Sequence, residues 1–410
     1  MEAEPIIHTR MEAFWAHQRK RAKRVETMQS ALAIAMAHLG PAGAALAAQA
    51  AAAAPSSTAA AEEGGGDDDD RLPFLDLRVH LAFRRPVEIW IDTLDGIDDG
   101  ETDSERPIRF LFLLEPDEVT GMLARLATPE RRFRGVFAHN PTVLRDTVRF
   151  PNHIARFEHG GTWILARDYC LDAASMHSAK WRDDSDTDSD GSGGLISFIC
   201  GSKRLTLGHR VRHALWARQN ELHNSFCHVV FFQSGAAKDR ALLAALEPSP
   251  RAPSPLLGAR PQEKVVALRS YSFHIAIENV RREGYFSEKL LDCFLTRTVP
   301  IYWGCPNIGE YFDVSGMILV SPEAPDDDRD DDRDDANPTA AAPDSADADE
   351  EGGAAAHIVN IIRARRCTVE VYERIRASGA MERNYVAAKK WIDLEARMQS
   401  GIAAALVPAT

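Results

Sequence analysis

A short stretch between Tyr271 and Asp313 carries polar side chains in an order suited to binding an anionic ligand. Apolar residues alternate from Tyr271 to Ile277 and predict a strand. Glu278 and Asn279 follow that strand directly. In an open parallel sheet, ligands bind beyond the carboxyl ends of the strands. We therefore expect these two side chains to lie at a ligand-binding edge.

The residues that follow predict a phosphate seat at the start of a helix. Ser287 precedes Glu288 and is a favoured residue for capping the free backbone N–H groups of a helix. A helix N-terminus also carries partial positive charge, which attracts phosphate. Lys289 is placed to neutralise a pyrophosphate, and Glu288 to accept hydrogen bonds from ribose hydroxyls. Each residue alone also fits an ordinary solvated helix start, so the signal lies in their combination.

The elements that must position these residues follow an α/β pattern. Strands alternate with helical segments at a spacing that predicts βαβ units and a parallel sheet. Helices are predicted at Asp117–Leu126, from Gly208 to about Asn220, after Ser287, and from His357 to about Leu406. Strands are predicted at Val87–Ile91, Ile108–Leu114, Gly135–Ala138, Leu195–Cys200, Val229–Phe232, Tyr271–Ile277 and Val299–Trp303.

This stretch resembles the C-terminal nucleotide-binding half of the α-1,3-fucosyltransferases, glycosyltransferase family 10. The signature of that family is similar to YxFxxxxEN…xYxTEKxxxxxxxxTxPIYWG. A weaker resemblance covers Ser197 to Trp216, which is similar to the family's strand, basic loop and arginine-led helix. Ser287 stands where the family commonly has threonine and keeps the hydroxyl, whereas Asn220 to Val265 departs from the family's spacing. The matching residues are Tyr271, Phe273, Glu278, Asn279, Tyr285, Glu288, Lys289, Thr298, Pro300, Ile301, Tyr302, Trp303 and Gly304.

The resemblance implies a site for a nucleotide-sugar donor in the C-terminal half of the chain. Arg212 is expected to contact the diphosphate, with Lys203 and Arg210 as lesser candidates. The other residues expected to bind the donor are Asn279, Tyr285, Glu288 and Lys289.

The resemblance also implies a catalytic glutamate in the N-terminal domain, just after a strand and before a helix. In this chain that position is Glu115, in the sequence FLFLLEPDEV. An inverting transfer needs one such base to take the proton of the acceptor hydroxyl. Asp117 and Glu118 are alternative carboxylates close by, and His139 and His159 are alternative bases.

The fold that the resemblance implies is GT-B, in which two Rossmann-like domains face each other across a cleft and the C-terminal one holds the donor. The residues themselves indicate only the α/β class. The predicted division is a basic and alanine-rich low-complexity region at 1–72, an acceptor domain at 73–182, an acidic linker at 183–194, a GDP-fucose-binding domain at 195–321 and 357–410, and a disordered acidic insert at 322–356.

The net charge of −13 argues against a nucleic-acid binder, but acidic residues are concentrated in three runs at 62–70, 183–190 and 322–351. Outside these runs the chain is basic, which suits an anionic small ligand. Some runs contain D-x-D, the pattern that holds a divalent ion in GT-A glycosyltransferases. They are embedded in Ser, Gly or Ala low complexity, so we expect no metal site and no required cofactor. Stimulation by Mn²⁺ would be compatible with this expectation.

The N-terminal region is ambiguous with respect to a membrane. Basic residues from Arg19 to Arg24 precede an alanine-rich run at 31–54, which is the outline of a signal anchor. Alanine is barely apolar, and His38, Gly40 and Pro41 interrupt the run, which favours an alanine-rich helix followed by linker. Family habit places such enzymes in Golgi or other secretory membranes, and the chain is expected to be cytoplasmic if the run is no anchor. Six scattered cysteines without a CxxC pair indicate free thiols, and disulfides stay open.

The function that the resemblance implies is inverting transfer of L-fucose from GDP-fucose to a hydroxyl of a glycan or glycoprotein acceptor, by family habit α-1,3 to GlcNAc. Two alternatives remain open at this point. One is a GT-B enzyme with another nucleotide sugar, because the phosphate-binding residues do not select the sugar. The other is a non-catalytic protein that binds nucleotide sugars or glycans. The acidic tracts also permit an interaction protein.

Overall fold

The computed structural model of the chain describes two compact units. The first unit comprises residues 1–159 and 393–410, and the second comprises residues 160–392. The described residues within them are 6–9, 87–97, 107–160, 180, 196–222, 229–234, 256–257, 267–269, 271–320, 343–364, 367–391 and 394–406.

Each unit contains one parallel β-sheet with helices between its strands. The strands of the first unit are β1 (Ile6–Thr9), β2 (Val87–Ile91), β3 (Ile108–Leu113), β4 (Gly135–Ala138) and β5 (His153–Arg156). Those of the second are β6 (Ile196–Gly201), β7 (Val229–Ser234), β8 (Leu256–Leu257), β9 (Phe273–Ile277), β10 (Val299–Trp303) and β11 (Ile318–Leu319). Every strand pair within them is parallel. The predicted α/β class is therefore confirmed, with two Rossmann-like units, which is the composition of the GT-B type.

The helices are short in the first unit and longer in the second. The first unit contains α1 (Asp117–Thr120), α2 (Met122–Arg125), α3 (Pro141–Arg145) and α10 (Leu394–Leu406). The second contains α4 (Leu207–Ala217), α5 (Gln219–Leu222), α6 (Glu288–Leu295), α7 (Pro343–Arg363), α8 (Val369–Ala377) and α9 (Ala380–Ala388).

The sheet of the first unit keeps the order of the chain, β1-β2-β3-β4-β5. Its strands β3 and β4 are buried along their whole length, which matches their near-continuous apolar sequences. Phe112 and Phe137 stack with ring centroids 4.5 Å apart on these two strands. The C-terminal helix α10 packs on Phe137 through Gly401, where an added Cβ would lie 3.1 Å from the ring. Glycine at this position therefore lets the helix approach the sheet closely.

The sheet of the second unit has the order β11-β10-β9-β6-β7-β8. Numbered from its own first strand, this is 3-2-1-4-5-6 read from the β8 edge, the order of the Rossmann fold. Its central strands β9 and β10 are completely buried, so both faces of the sheet are covered. The strand order changes direction between β6 and β9, and that point is where such sheets bind ligands.

The helix predicted over Asp117–Leu126 is interrupted in the structure. Gly121 adopts the left-handed conformation with φ 62° and ends α1 after one turn. Its backbone N–H donates to Asp117 O, which closes that turn. A glycine in this conformation is a common helix terminator, so the short α1 and α2 replace one longer helix.

The disordered acidic insert predicted over 322–356 overlaps helix α7, which begins at Pro343. Ala354 and Ala355 lie in the core of the second unit, with 2% and 0% of their surface exposed. Glu351 pairs with Arg210 at 3.2 Å. Composition predicts disorder here because alanine and acids supply little apolar surface, but a helix needs only one narrow apolar stripe to dock. Residues 321–342 lie outside the described residues.

The predicted domain boundaries also differ from the two units. The prediction placed residues 357–410 together in the C-terminal domain, whereas residues 393–410 belong to the first unit. Periodicity identifies a helix there but carries no information about which sheet covers it. The change of unit at 159 and 160 also precedes the predicted linker at 183–194, which lies outside the described residues, as do 1–5 and 10–86.

The packing of α7 gives a testable expectation. Replacing Ala355 with aspartate buries an unpaired charge, so we expect the second unit to lose about 3–5 kcal/mol of stability. Thermal unfolding would show this as a clearly lower melting temperature. Gly353 on the same helix is exposed with open space around it, so the change to aspartate there is the matched control and should leave the melting temperature nearly unchanged. Equal effects of the two substitutions would contradict the docking of α7.

Candidate functional site

The candidate ligand edge of the second unit lies where β6 and β9 end side by side. Gly201 ends β6, and Glu278 and Asn279 follow β9, as the sequence predicted. A glycine at the first turn of α4 closes this edge. The N–H of Gly208 donates to Asn279 O at 2.9 Å, and an added Cβ would meet Glu278 O at 1.7 Å. Only a residue without a side chain therefore lets α4 approach the end of β9.

A buried carboxylate organises the start of α6. Glu278 is completely buried, and its two oxygens accept from Ser287 N at 2.8 Å and Ser287 Oγ at 2.6 Å. The serine hydroxyl also accepts from Lys289 N at 3.4 Å, which confirms the predicted cap. Lys289 Nζ lies 3.8 Å from Glu278 Oε2. The glutamate thus fixes both the cap and the cation of the predicted phosphate seat.

At this seat the ammonium of Lys289 lies between two carboxylates, those of Glu278 and Glu288. Burial raises the pKa of Glu278, and the ammonium of Lys289 opposes that rise. The same ammonium donates to Glu288 Oε1 at 3.1 Å. The side chain of Lys289 is 23% exposed, whereas that of Glu278 is 0% exposed. The lysine therefore stands between the buried carboxylate and solvent, and its ammonium also donates to Ser287 Oγ at 3.2 Å.

Gly304 explains why the PIYWG sequence ends in glycine. A Cβ at this position would lie 2.6 Å from Glu278 Cγ and 2.5 Å from the hydroxyl of Tyr302. The Tyr302 hydroxyl in turn accepts from Cys305 N at 3.0 Å. The end of β10 therefore packs closely on the side chain of Glu278, which orders the start of α6. The relative positions of β9, β10 and α6 are fixed by these contacts.

Arg212 lies at the predicted edge and is held by the end of β9. Its guanidinium donates to Ile277 O at 2.5 Å and Glu278 O at 3.3 Å. A second nitrogen donates to Asn279 Oδ1 at 3.0 Å. Burial lowers the pKa of Arg212. The arginine thus orients Asn279 and places positive charge behind the ligand edge, and its contact with a diphosphate stays a prediction.

The remaining predicted donor residues differ in accessibility. Tyr285 is completely buried, with 0% of its surface exposed. Glu288 keeps 16% of its side chain exposed. Lys203 is exposed in the loop after β6, whereas Arg210 pairs with Glu351. The structure thus brings Arg212, Asn279, Glu288 and Lys289 to one edge and places Tyr285 beneath it.

His209 is a residue of this edge that the sequence analysis did not single out. The backbone N–H of Thr206 donates to its Nδ1 at 3.2 Å. A backbone N–H can only donate, so Nδ1 is unprotonated and the ring proton is on Nε2. Burial lowers the pKa of His209 to about 3, and Arg212 and Lys289 add to that shift. The ring is therefore a neutral hydrogen-bond donor. Threonine three residues before histidine at a helix start was the available signal.

The first unit gathers titratable side chains at the carboxyl end of its sheet. Asp92 follows β2, Glu115 follows β3, and His139 follows β4 directly. His159 lies after β5, with its Nε2 3.7 Å from Glu115 Oε1. Glu115 keeps 19% of its side chain exposed, whereas His139 is only 2% exposed. Parallel strands bring these groups to one edge, so Glu115 lies where the sequence placed it.

The two alternative carboxylates near Glu115 have other surroundings. Asp117 Oδ1 accepts from Leu123 N at 2.7 Å and so supports the turn between α1 and α2. Glu118 is exposed on the outer side of α1. Asp92 is the neighbour that the sequence analysis missed. An acidic residue directly after a strand was the signal that could have identified it.

Two further predictions concern metals and membranes. Within the described ranges, no three His, Cys, Asp or Glu side chains are grouped closely enough to hold a metal ion. The acidic runs at 67–70, 183–190 and 326–335 lie outside those ranges. Among the described helices, none has the length and apolar character needed to cross a membrane. The alanine-rich run at 31–54 is also outside the described residues.

The fold and the site together define a Rossmann-like α/β protein with a preorganised polar edge at the switch point of one sheet. No protein-family model matches the chain. An α-(1,3)-fucosyltransferase from Helicobacter pylori is 34% identical over 64 residues, which make up 16% of this chain and 13% of that protein. A putative fucosyltransferase-like protein from Arabidopsis thaliana is 39% identical over 57 residues, or 14% of this chain and 11% of that protein. The predicted resemblance to α-1,3-fucosyltransferases is thus confirmed over a short part of each relative.

Solved structures with a similar fold are less similar in sequence. A UDP-forming α,α-trehalose-phosphate synthase from Burkholderia vietnamiensis is 11% identical, with a TM-score of 0.46, over 95% of this chain and 81% of that chain. An α1,3-fucosyltransferase with GDP-fucose is 11% identical, with a TM-score of 0.33, over 79% of each chain.

Proposed function

We propose that the chain is an inverting fucosyltransferase that transfers L-fucose from GDP-fucose to a hydroxyl of a glycan or glycoprotein acceptor. The observation that carries this proposal is the network of Glu278, Ser287 and Lys289 at the switch point of the second sheet. It offers a helix N-terminus and an accessible ammonium to a diphosphate. The matches to two fucosyltransferase relatives favour GDP-fucose over another nucleotide sugar.

The proposed reaction needs a group that stabilises the leaving diphosphate and a group that accepts a proton. The acceptor oxygen forms a bond to C1 of fucose while the bond from C1 to the phosphate oxygen breaks. The electron pair of the broken bond leaves with GDP, and the ammonium of Lys289 and the N-terminus of α6 stabilise that charge. The proton of the acceptor hydroxyl goes to the carboxylate of Glu115. Attack opposite the leaving group inverts the configuration at C1.

The groups proposed to bind the acceptor lie at the carboxyl edge of the first sheet. Glu115 and His159 offer a carboxylate and an imidazole at the carboxyl edge of the first sheet. Such groups can hydrogen-bond sugar hydroxyls as well as remove a proton. We propose a GlcNAc-containing acceptor and an α-1,3 linkage, which follow from the resemblance to α-1,3-fucosyltransferases.

Donor screening tests the proposal directly. The chain is incubated with GDP-fucose, GDP-mannose or UDP-sugars and an N-acetyllactosamine-type acceptor, and nucleotide release and acceptor mass are measured. We expect release and a fucose-sized mass increase with GDP-fucose alone. We also expect transfer to persist in EDTA, because Lys289 and the α6 N-terminus supply positive charge at the diphosphate. Transfer of another sugar would mean that a different nucleotide sugar is the donor. Binding of GDP-fucose without transfer to any acceptor would favour a non-catalytic binding protein. Complete loss in EDTA that metal reverses would contradict the metal-independent mechanism.

A further inference from the structure

Asp92 has an unusual backbone conformation next to the candidate base. Its φ of 52° is in the left-handed region, and Arg297 is the other non-glycine residue with positive φ among the described ranges. Left-handed backbone is unfavourable for most L-residues, although Asp and Asn adopt it more readily than others. Residues held in this way often belong to functional sites, because the surrounding structure must maintain them.

The carboxylate of Asp92 holds the backbone at Glu115. Asp92 Oδ1 accepts from Leu114 N at 2.8 Å and from Glu115 N at 3.1 Å. Asp92 Oδ2 also accepts from Glu115 N at 3.1 Å. The backbone N–H of Asp92 donates to Phe112 O at 3.0 Å. The side chain thus bridges from the end of β2 to the residue that carries the candidate base.

The charged groups around Asp92 come from three elements. Glu115 follows β3, and its charge acts on Asp92 in the direction of repulsion. His159 follows β5 and acts in the opposite direction. Arg397 on α10 donates to the backbone carbonyl oxygens of Glu158 and His159, so a cation lies behind the histidine. Only 2% of Asp92 is exposed, so its side chain is surrounded by protein groups and not by water.

The hydrogen bonds to Leu114 and Glu115 do not by themselves require a charged side chain. Asparagine adopts left-handed backbone at least as well and would offer one oxygen to the same two N–H groups. At a pH where Asp92 is ionised, it would also avoid burying a charge. Burial, followed by the charge of Glu115, raises the pKa of Asp92 to about 8. If asparagine proves the more stabilising residue at this position, the presence of aspartate beside the candidate base is the pattern expected of a functional group.

We propose that Asp92 is a positioning residue for Glu115, which it serves by fixing the main chain of the base and by placing a second carboxyl group beside it. This inference rests on the proposed function of Glu115. Because Asp92 is only 2% exposed, this role requires no contact between Asp92 and donor or acceptor. When Glu115 takes the proton of the acceptor hydroxyl, the ionised Asp92 stabilises that proton on Glu115 through its negative charge. The imidazole of His159 is the third titratable group of this cluster, with its Nε2 3.7 Å from Glu115 Oε1.

The test replaces Asp92 with asparagine in the full chain and measures turnover between pH 5 and pH 9. Asparagine keeps one oxygen for the N–H groups of Leu114 and Glu115, removes the charge, and loses the second acceptor that Oδ2 offers to Glu115 N. We expect the turnover of the wild-type chain to rise as pH passes about 8, where Asp92 ionises, and we expect this rise to be absent in Asp92→Asn. Turnover above pH 8 should fall about tenfold or more, with unchanged affinity for GDP-fucose. Asp95→Asn is the matched control, since Asp95 is an exposed carboxylate paired with Arg125.

A second measurement follows the melting temperature and does not depend on activity. A carboxyl whose folded-state pKa lies above its unfolded value binds more protons when folded, so its contribution to stability falls as pH rises between the two values. For Asp92 that window extends from about 3.8 to about 8. We therefore expect Asp92→Asn to melt at or above the wild-type temperature at pH 7, with a difference that grows from pH 4 to pH 8.

The outcomes separate the positioning role from its alternatives. A lower melting temperature for Asp92→Asn together with an unchanged pH profile would show a structural role and overturn the inference. In a Glu115→Gln background, Asp92→Asn should cause no further loss of turnover, because the base that it positions is gone. An additive further loss would also overturn it. If the wild-type chain transfers no fucose, the proposed function fails, and a wild-type melting temperature above that of Asp92→Asn would then remove the basis of the Asp92 inference as well.

Discussion

Replacing Lys289 with alanine is expected to lower turnover by about 10²–10³-fold, the typical effect of removing one donor that stabilises transition-state charge. The physical reason is the position of the ammonium between the buried Glu278 carboxylate, 3.8 Å away, and solvent at the α6 N-terminus. Charge grows on the leaving diphosphate as the bond to fucose breaks, so the cation matters most in the transition state. Steady-state kinetics with GDP-fucose measures the loss.

Two control variants separate this role from a structural one. Lys289→Arg keeps a positive charge and should retain more activity than Lys289→Ala. Lys390 is an exposed lysine of the same unit, so Lys390→Ala should match the wild-type chain. The melting temperature of each variant must be compared, because Lys289 also opposes the raised pKa of Glu278. If Lys289→Ala keeps the wild-type turnover, Lys289 does not stabilise the diphosphate, and the main support for the donor site is lost.

The stretch from β9 to β10 was predictable because its signals are local. Alternating apolar residues identify β9, and Ser287 identifies the start of α6, since a hydroxyl there satisfies nearby backbone groups. The observed strand Val299–Trp303 has the predicted bounds. Each of these inferences depends on residues within one or two turns of each other, where sequence spacing and spatial distance agree.

Contacts between distant parts of the chain were not predictable in the same way. Arg212 binds the backbone at Ile277, which is 65 positions away, and no local pattern indicates that partner. Asp92 holds the N–H of Glu115 across two neighbouring strands, and the pairing of those strands follows only from the sheet. Burial of Glu278 depends on the approach of Gly304. Sequence therefore located the candidate site residues, whereas the structure identified the groups that orient them.

The helices at the end of the chain show the same limit for whole elements. α7 begins within a segment rich in alanine and acidic residues, a composition that predicts disorder up to residue 356, yet Ala354 and Ala355 are buried. A few apolar residues on one face were enough to dock it, since a helix buries only a stripe. α10 was predicted as a helix but assigned to the wrong unit. The helical periodicity of α10 is visible in the sequence, but its contact with the ring of Phe137 is not.

Replacing Glu115 with glutamine is expected to lower turnover by about 10²–10⁴-fold, the usual effect of losing a general base. Glutamine keeps the size and one oxygen of the side chain but cannot take the proton of the acceptor hydroxyl. The affinity for GDP-fucose should be unchanged, because the proposed donor residues Asn279, Glu288 and Lys289 belong to the second unit and Glu115 to the first. Calorimetry with GDP-fucose and turnover with saturating acceptor measure the two quantities separately.

The control and the contradicting outcomes are specific to this position. Glu118 is exposed three residues further on, so Glu118→Gln should stay within about threefold of the wild-type turnover. If Glu115→Gln also stays within that range, Glu115 is not the base, and His159, whose Nε2 lies 3.7 Å from it, is the next group to replace. If affinity and turnover both collapse, the side chain of Glu115 has a structural role instead. A loss confined to turnover is the result expected of a base that removes the proton while the donor stays bound.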